Sequence, residues 1–217
     1  MEAYNTIVSF FQNGGPFMFP IVFILGLGLA IALERWWHLR RTEIRNRKEW
    51  DRLSPILASG DYDRAQSATA DSKAEIGTIL NYGLSRLRTS RRREDVEMAM
   101  EESLMETVPN LERRTHYLAT FANIATLLGL LGTIIGLIQA FTAVANADPA
   151  EKADLLSASI SVAMNTTAFG LMVAIPLLLI HALLSTKTTH VVDSLEMASV
   201  KFLNTVPAQR QQDGQTV

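Results

Sequence analysis

The chain has 217 residues, 48% of them hydrophobic, with a formal net charge of −2 and no cysteine. The balanced charge excludes a broadly basic protein that binds nucleic acid. The missing cysteine excludes disulfides and any cysteine-based metal or redox centre.

The averages hide a segregation: no Asp, Glu, Lys or Arg occurs in 3–33, in 115–147 or in 155–186. A membrane-spanning helix needs roughly 20 apolar residues, and each window is long enough. The sequence predicts transmembrane helices at 16–36, 116–145 and 155–184, the second with its apolar centre at 118–144. Buried helices of a large soluble domain would need far more polar partner helices than the chain supplies. Sixteen of the twenty Lys and Arg lie between residues 35 and 114, the loop before the third span has only Lys152, and the tail has Lys187, Lys201 and Arg210. By the positive-inside rule the N-terminus lies outside and the C-terminus inside. The first span is not a cleavable signal peptide, because its positive charge follows it.

In chain order, 1–15 is a short periplasmic segment closed by Gly14-Gly15-Pro16. Trp36 and Trp37 end the first span at the level of an aromatic belt. Residues 37–115 form a cytoplasmic helical domain. There Leu39 to Leu57 extends helix one, and Ser59-Gly60-Asp61 is a turn with Ser59 or Asp61 as cap. Helices are predicted from Tyr62 to Ala70, from Ile76 to Leu87 and from Glu94 onward, the last with Val96, Met100, Leu104, Val108 and Leu111 as packing face. Pro109 is predicted to kink this last helix. Glu94, Asp95, Glu97, Glu101, Glu102 and Glu106 read as a solvated face, and no cytoplasmic motif carries enzyme chemistry. Residues 146–154 form a periplasmic loop with Asp154 as cap of span three. Residues 185–217 continue that span as a cytoplasmic helix to Phe202 and end in a disordered tail. The fold class is all-α: an integral membrane protein with three transmembrane helices extended into a cytoplasmic helical bundle.

Small residues mark one face of each later span. Gly129, Thr133, Gly136 and Ala140 recur at steps of four, three and four, and so do Ala163, Thr167, Gly170 and Ala174. Such faces let membrane helices approach closely. Counting from the span centres at 1.5 Å per residue puts Thr133 and Thr167 about level, near mid-membrane. Either these stripes are packing seams whose hydroxyls bond their own i−4 carbonyls, or the hydroxyls line an ion path. Thr166, Asn165 and Thr126 enrich the polar surroundings, with Ser157, Ser159 and Ser161 further out. No Asp or Glu lies at depth in any span, Glu34 standing at the inner end of the first, and a proton relay needs an ionisable group at depth. His181, near the inner end, reads as a packing residue. A partner is therefore expected to bring an Asp or Glu.

Leu127-Leu128-Gly129-Leu130-Leu131-Gly132-Thr133-Ile134-Ile135-Gly136, followed by Ala140-Phe141, resembles the span-two motif of the MotA/TolQ/ExbB proton-channel family. Ala168-Phe169-Gly170-Leu171-Met172-Val173-Ala174-Ile175-Pro176 resembles its span-three motif. Three spans and a large first cytoplasmic loop resemble the ExbB and TolQ branch. The resemblance implies a pentamer in the bacterial inner membrane around a dimer of ExbD-like or TolR-like single-span proteins whose membrane Asp carries the ion. It also implies work passed to the periplasm or outer membrane, for instance through a TonB-like or TolA-like protein. The family's pore threonines fall on Thr133 and Thr167, and its span-three proline on Pro176. Gly129, Gly132, Gly136, Ala163, Gly170, Ala174 and Pro176 are read as helix-packing residues.

Two departures matter. The family's span-three glutamate falls on Val162, and its span-two proline on Thr126. Neutral oxygens in place of a titratable group make sodium an alternative to the proton, since hard cations take oxygen ligands. The expectation is a non-enzymatic, ion-driven motor subunit with no cofactor besides the transported H+ or Na+. The alternative is a non-conducting pentameric scaffold for a single-helix partner.

Overall fold

The computed structural model describes residues 14–90, 92–145 and 147–206. The outer segment through residue 13, Arg91, Asn146 and the tail beyond 206 lie outside the described residues. The described residues form six helices in order: α1 (Met18–Ala58), α2 (Tyr62–Thr69), α3 (Glu75–Thr89), α4 (Arg93–Glu112), α5 (Thr115–Ala145) and α6 (Lys152–Leu203). No strand occurs among the described residues. Among the described residues three helical stretches are long and apolar enough to cross a membrane, within α1, within the run Arg93–Ala145 and within α6.

The chain divides into two units. The first holds 14–35 and 114–184 of the described residues. Its interior is rich in small side chains: Ala122, Ala125, Ala140, Ala163 and Ala174 are buried, with Met18, Ile21, Leu118, Val173 and Leu177 among them. Large apolar side chains face outward instead, as at Phe23, Leu127, Ile138, Phe141, Met164 and Leu179. This is the inside-out distribution of a bilayer protein: lipid tails accept large apolar groups, while helices gain by close approach. Gly15 has φ 71°, and the Met18 N–H donates to the Gly15 carbonyl at 3.3 Å as α1 begins.

The second unit holds 36–113 and 185–206 of the described residues. Its interior follows the opposite rule, with Leu53, Leu57, Ile79, Leu80, Leu84, Met100, Leu195 and Phe202 buried together. Burying large side chains is what drives folding in water. Asp61 caps α2 by accepting from the Arg64 N–H at 3.1 Å. Tyr62 edges onto Phe202 and donates its hydroxyl to the Thr205 carbonyl at 2.7 Å. Lys187 pairs with Glu43 at 2.9 Å and lies 5.3 Å over the Trp36 ring.

Two local expectations change. The sequence leads one helix, kinked at Pro109, on toward the second span; the structure instead has a break beyond Pro109, which sits inside α4. It falls at Arg113 and Arg114, where Arg114 takes φ 68°. Proline takes away the N–H that would bond the Met105 carbonyl, whereas the helix ends where Arg113 leaves helical geometry at ψ 135° and Arg114 turns left-handed. Asp154 is not the cap of α6 either. The helix starts at Lys152, so Asp154 lies in its first turn, where a carboxylate favours the positive helix end.

Candidate functional site

Helices α5 and α6 meet along the two small-residue stripes. The seam is backbone against backbone. A Cβ on Gly129 would lie 3.2 Å from the Thr167 Cα, and one on Gly170 would lie 2.7 Å from the Ala125 carbonyl oxygen. A Cβ on Gly136 would meet the Ala163 Cβ at 2.8 Å. A methyl group at Gly170 or Gly136 would force the seam to shift, and one at Gly129 would need its neighbours to give by a few tenths of an ångström. Gly132 faces Thr166, with the Thr166 Cγ2 2.4 Å from where its Cβ would stand.

This approach brings Thr133 and Thr167 together. Their hydroxyls are in direct contact. The Thr167 hydroxyl reaches the Gly129 carbonyl at 2.9 Å, and the Thr133 hydroxyl reaches the Ala163 carbonyl at 3.2 Å and its own i−4 carbonyl, Gly129, at 3.4 Å. Each hydroxyl has one proton to give, so two protons serve four contacts. Two hydroxyl and two carbonyl oxygens thus converge on the seam, within stretches of α5 and α6 that carry no Asp, Glu, Lys or Arg. Both threonines are half-buried.

The other predicted path residues lie elsewhere. Thr166, one residue from Thr167 and hence about 100° around the helix, is buried. It offers its hydroxyl to the Gly14 carbonyl at 2.6 Å and to the Val162 carbonyl at 3.0 Å. It ties the turn before α1 to α6. Val162, at the position of the expected glutamate, packs by the same turn, with its Cγ1 3.3 Å from where a Gly15 Cβ would stand. Asn165 is half-exposed on a different side of α6. Thr126 is exposed and back-bonds the Ala122 carbonyl at 3.1 Å. Ala163 and Ala174 are buried in the seam, whereas Pro176 faces outward, and α6 runs through it unbroken.

Elsewhere along the same two helices the rings of His116 and His181 lie 6.4 Å apart. Glu34 and Arg114 pair at 3.7 Å in this unit as well. Their juxtapositions join residues more than sixty positions apart, and no local pattern in the sequence signals them.

The sequence profile of the MotA/TolQ/ExbB proton channel family matches residues 71–197. The chain belongs to this family. A protein of Methanothermobacter thermautotrophicus named as a biopolymer transport protein ExbB homolog is 29% identical over 204 residues, covering 91% of this chain and 69% of its own. TolQ of the Tol-Pal system in Haemophilus influenzae is 34% identical over 87 residues, covering 40% of this chain and 38% of its own. The biopolymer transport protein ExbB of Pseudomonas putida is 26% identical over 173 residues, covering 74% and 52%. The match, together with three apolar helices, makes the chain a multi-pass membrane subunit of ExbB/TolQ type, in a family of channel and transport proteins. The family match spans α3 to α6 and contains both threonines of the seam.

Proposed function

We propose that the chain is the channel-wall subunit of an ion-driven motor. It works as a homo-oligomer, a pentamer by resemblance, in a bacterial inner membrane with its N-terminus periplasmic and its C-terminus cytoplasmic. The observation that carries the reading is the meeting of Thr133 and Thr167 with the Gly129 and Ala163 carbonyls. Four neutral oxygens in an otherwise apolar seam suit a passing cation or a protonated carrier, and they supply no charge of their own. The charge then comes from an acidic residue on a single-span partner of ExbD or TolR type. Ion flow past it would energise periplasmic or outer-membrane work, such as transport through a TonB-like protein. Thr126, Thr166 and Asn165 support the wall from outside this oxygen cluster. Because Val162 is neutral, sodium and the proton are both carried forward as the ion.

One observation favours a second reading, the non-conducting scaffold: every hydroxyl of the pair finds a carbonyl within its own chain, as a packing lock would. Thr133→Ala and Thr167→Ala, made in cells that hold the partner, separate the two. Loss of gradient-driven work with unchanged membrane levels supports the channel wall, and full activity of the double variant rejects it. Flux in sodium-free liposomes then identifies the ion. Activity that persists there and collapses with the proton gradient assigns the proton.

A further inference from the structure

Two exposed helix faces of the unit formed by 36–113 and 185–206 repeat one pattern with opposite charge. On α1, Ile44 is 48% exposed, and the positions four and three before it and three and four after it hold Arg40, Arg41, Arg47 and Lys48. On α4, Met98 is 67% exposed, and the same four positions hold Glu94, Asp95, Glu101 and Glu102. Residues three and four apart are surface neighbours on a helix, so each apolar side chain stands inside a frame of four like charges. None of the eight joins an ion pair among the described residues; the pairs there use other side chains. Among the described residues Asp95 alone of the eight is engaged, with the Ser90 hydroxyl. Met105, one heptad beyond Met98, is 72% exposed and continues the acidic face.

We infer that the acidic face of α4 docks on the basic face of α1 in a second copy of this chain. The inference rests on the oligomeric reading above and names the surface that would join the copies. Ile44 and Met98 set against each other would remove their exposed apolar surface from water. Opposite charge around the rim orients the contact and disfavours like-on-like pairing. All four charges of each frame have one sign, so with Ile44 opposite Met98 the frames of Arg40, Arg41, Arg47 and Lys48 and of Glu94, Asp95, Glu101 and Glu102 complement each other in either relative direction of the two helices. Each copy carries one face of each kind, so in the oligomer proposed above the contact repeats head-to-tail around the ring. An anionic bilayer on α1, or a basic peptide on α4, would leave the shared spacing of the two frames unexplained.

The chain has no cysteine, so introduced thiols report single contacts. Copies carrying Ile44→Cys and copies carrying Met98→Cys, told apart by tag length, are produced together in membranes and oxidised. A mixed disulfide containing one copy of each is expected, in excess over either variant alone. Changing Arg40, Arg41, Arg47 and Lys48 to Glu on the first copy should abolish it. Changing Glu94, Asp95, Glu101 and Glu102 to Lys on the second should restore it, a recovery that misfolding cannot produce. An oligomer of full mass that gives no mixed disulfide, or one indifferent to both reversals, overturns the docking surface and leaves the oligomeric reading intact. A wild-type chain with the native mass of a single copy overturns both.

Discussion

The Thr167 hydroxyl donates to the Gly129 carbonyl at 2.9 Å, from one membrane helix to the next. That carbonyl belongs to the residue whose missing side chain lets the Thr167 backbone approach. The close approach and the polar contact are therefore one feature, made by a glycine and a threonine on facing helices.

Thr167→Val keeps the shape of the side chain and removes its hydroxyl. Interhelical hydrogen bonds in bilayers contribute only about 0.6 kcal/mol on average. The variant should therefore assemble normally, with thermal stability in detergent lowered by an amount of that order. A large loss of ion-driven work alongside that small shift would separate transport from packing.

Gly170→Ala should be far more damaging than Gly26→Ala. The first places a methyl group 2.7 Å from a backbone oxygen of Ala125, and the second meets nothing within 4 Å. Overpacking against a rigid neighbour costs about 1–3 kcal/mol. Alanine inside an open helix position is neutral or slightly stabilising. Membrane levels and melting of the purified variants in detergent compare the two directly.

Gly60 has open space around its Cα but φ 76°. Gly60→Ala should cost about 1–2 kcal/mol through the left-handed backbone alone. Gly60→Asn, which tolerates that region better, should recover part of the loss. Thermal unfolding of the full chain in detergent, followed by circular dichroism, reads both.

Asp61→Ala removes the cap of α2 and should cost about 1 kcal/mol. Tyr62→Phe leaves its ring on Phe202 but loses the bond to the Thr205 carbonyl, a further loss of about 1 kcal/mol. The two sites are adjacent, so the double variant should deviate from the sum. Faster proteolysis near α2 would be the readout.

Much of the fold is legible from composition along the chain. The charge-free windows mark the membrane stretches, Ser59-Gly60-Asp61 marks a turn, and Val96, Met100 and Leu111 mark a buried face that is buried in the structure. The break between α4 and α5 was less legible, because proline is a visible signal while a left-handed Arg114 carries none.

What the sequence alone determines is local: which residues follow one another at helical steps, how long each apolar stretch runs, and that Thr133 and Thr167 hold equivalent places in their stripes. Tertiary structure decides which of several neighbouring polar groups meet. Thr166 is one residue from Thr167, yet it turns to the Gly14 carbonyl while Thr167 turns to Gly129. It also decides that Ile44 and Met98 stand uncovered inside their charged frames. Periodicity places residues around a single helix axis. The rotation of each helix against its neighbours comes from close packing between distant parts of the chain, and no local pattern encodes it.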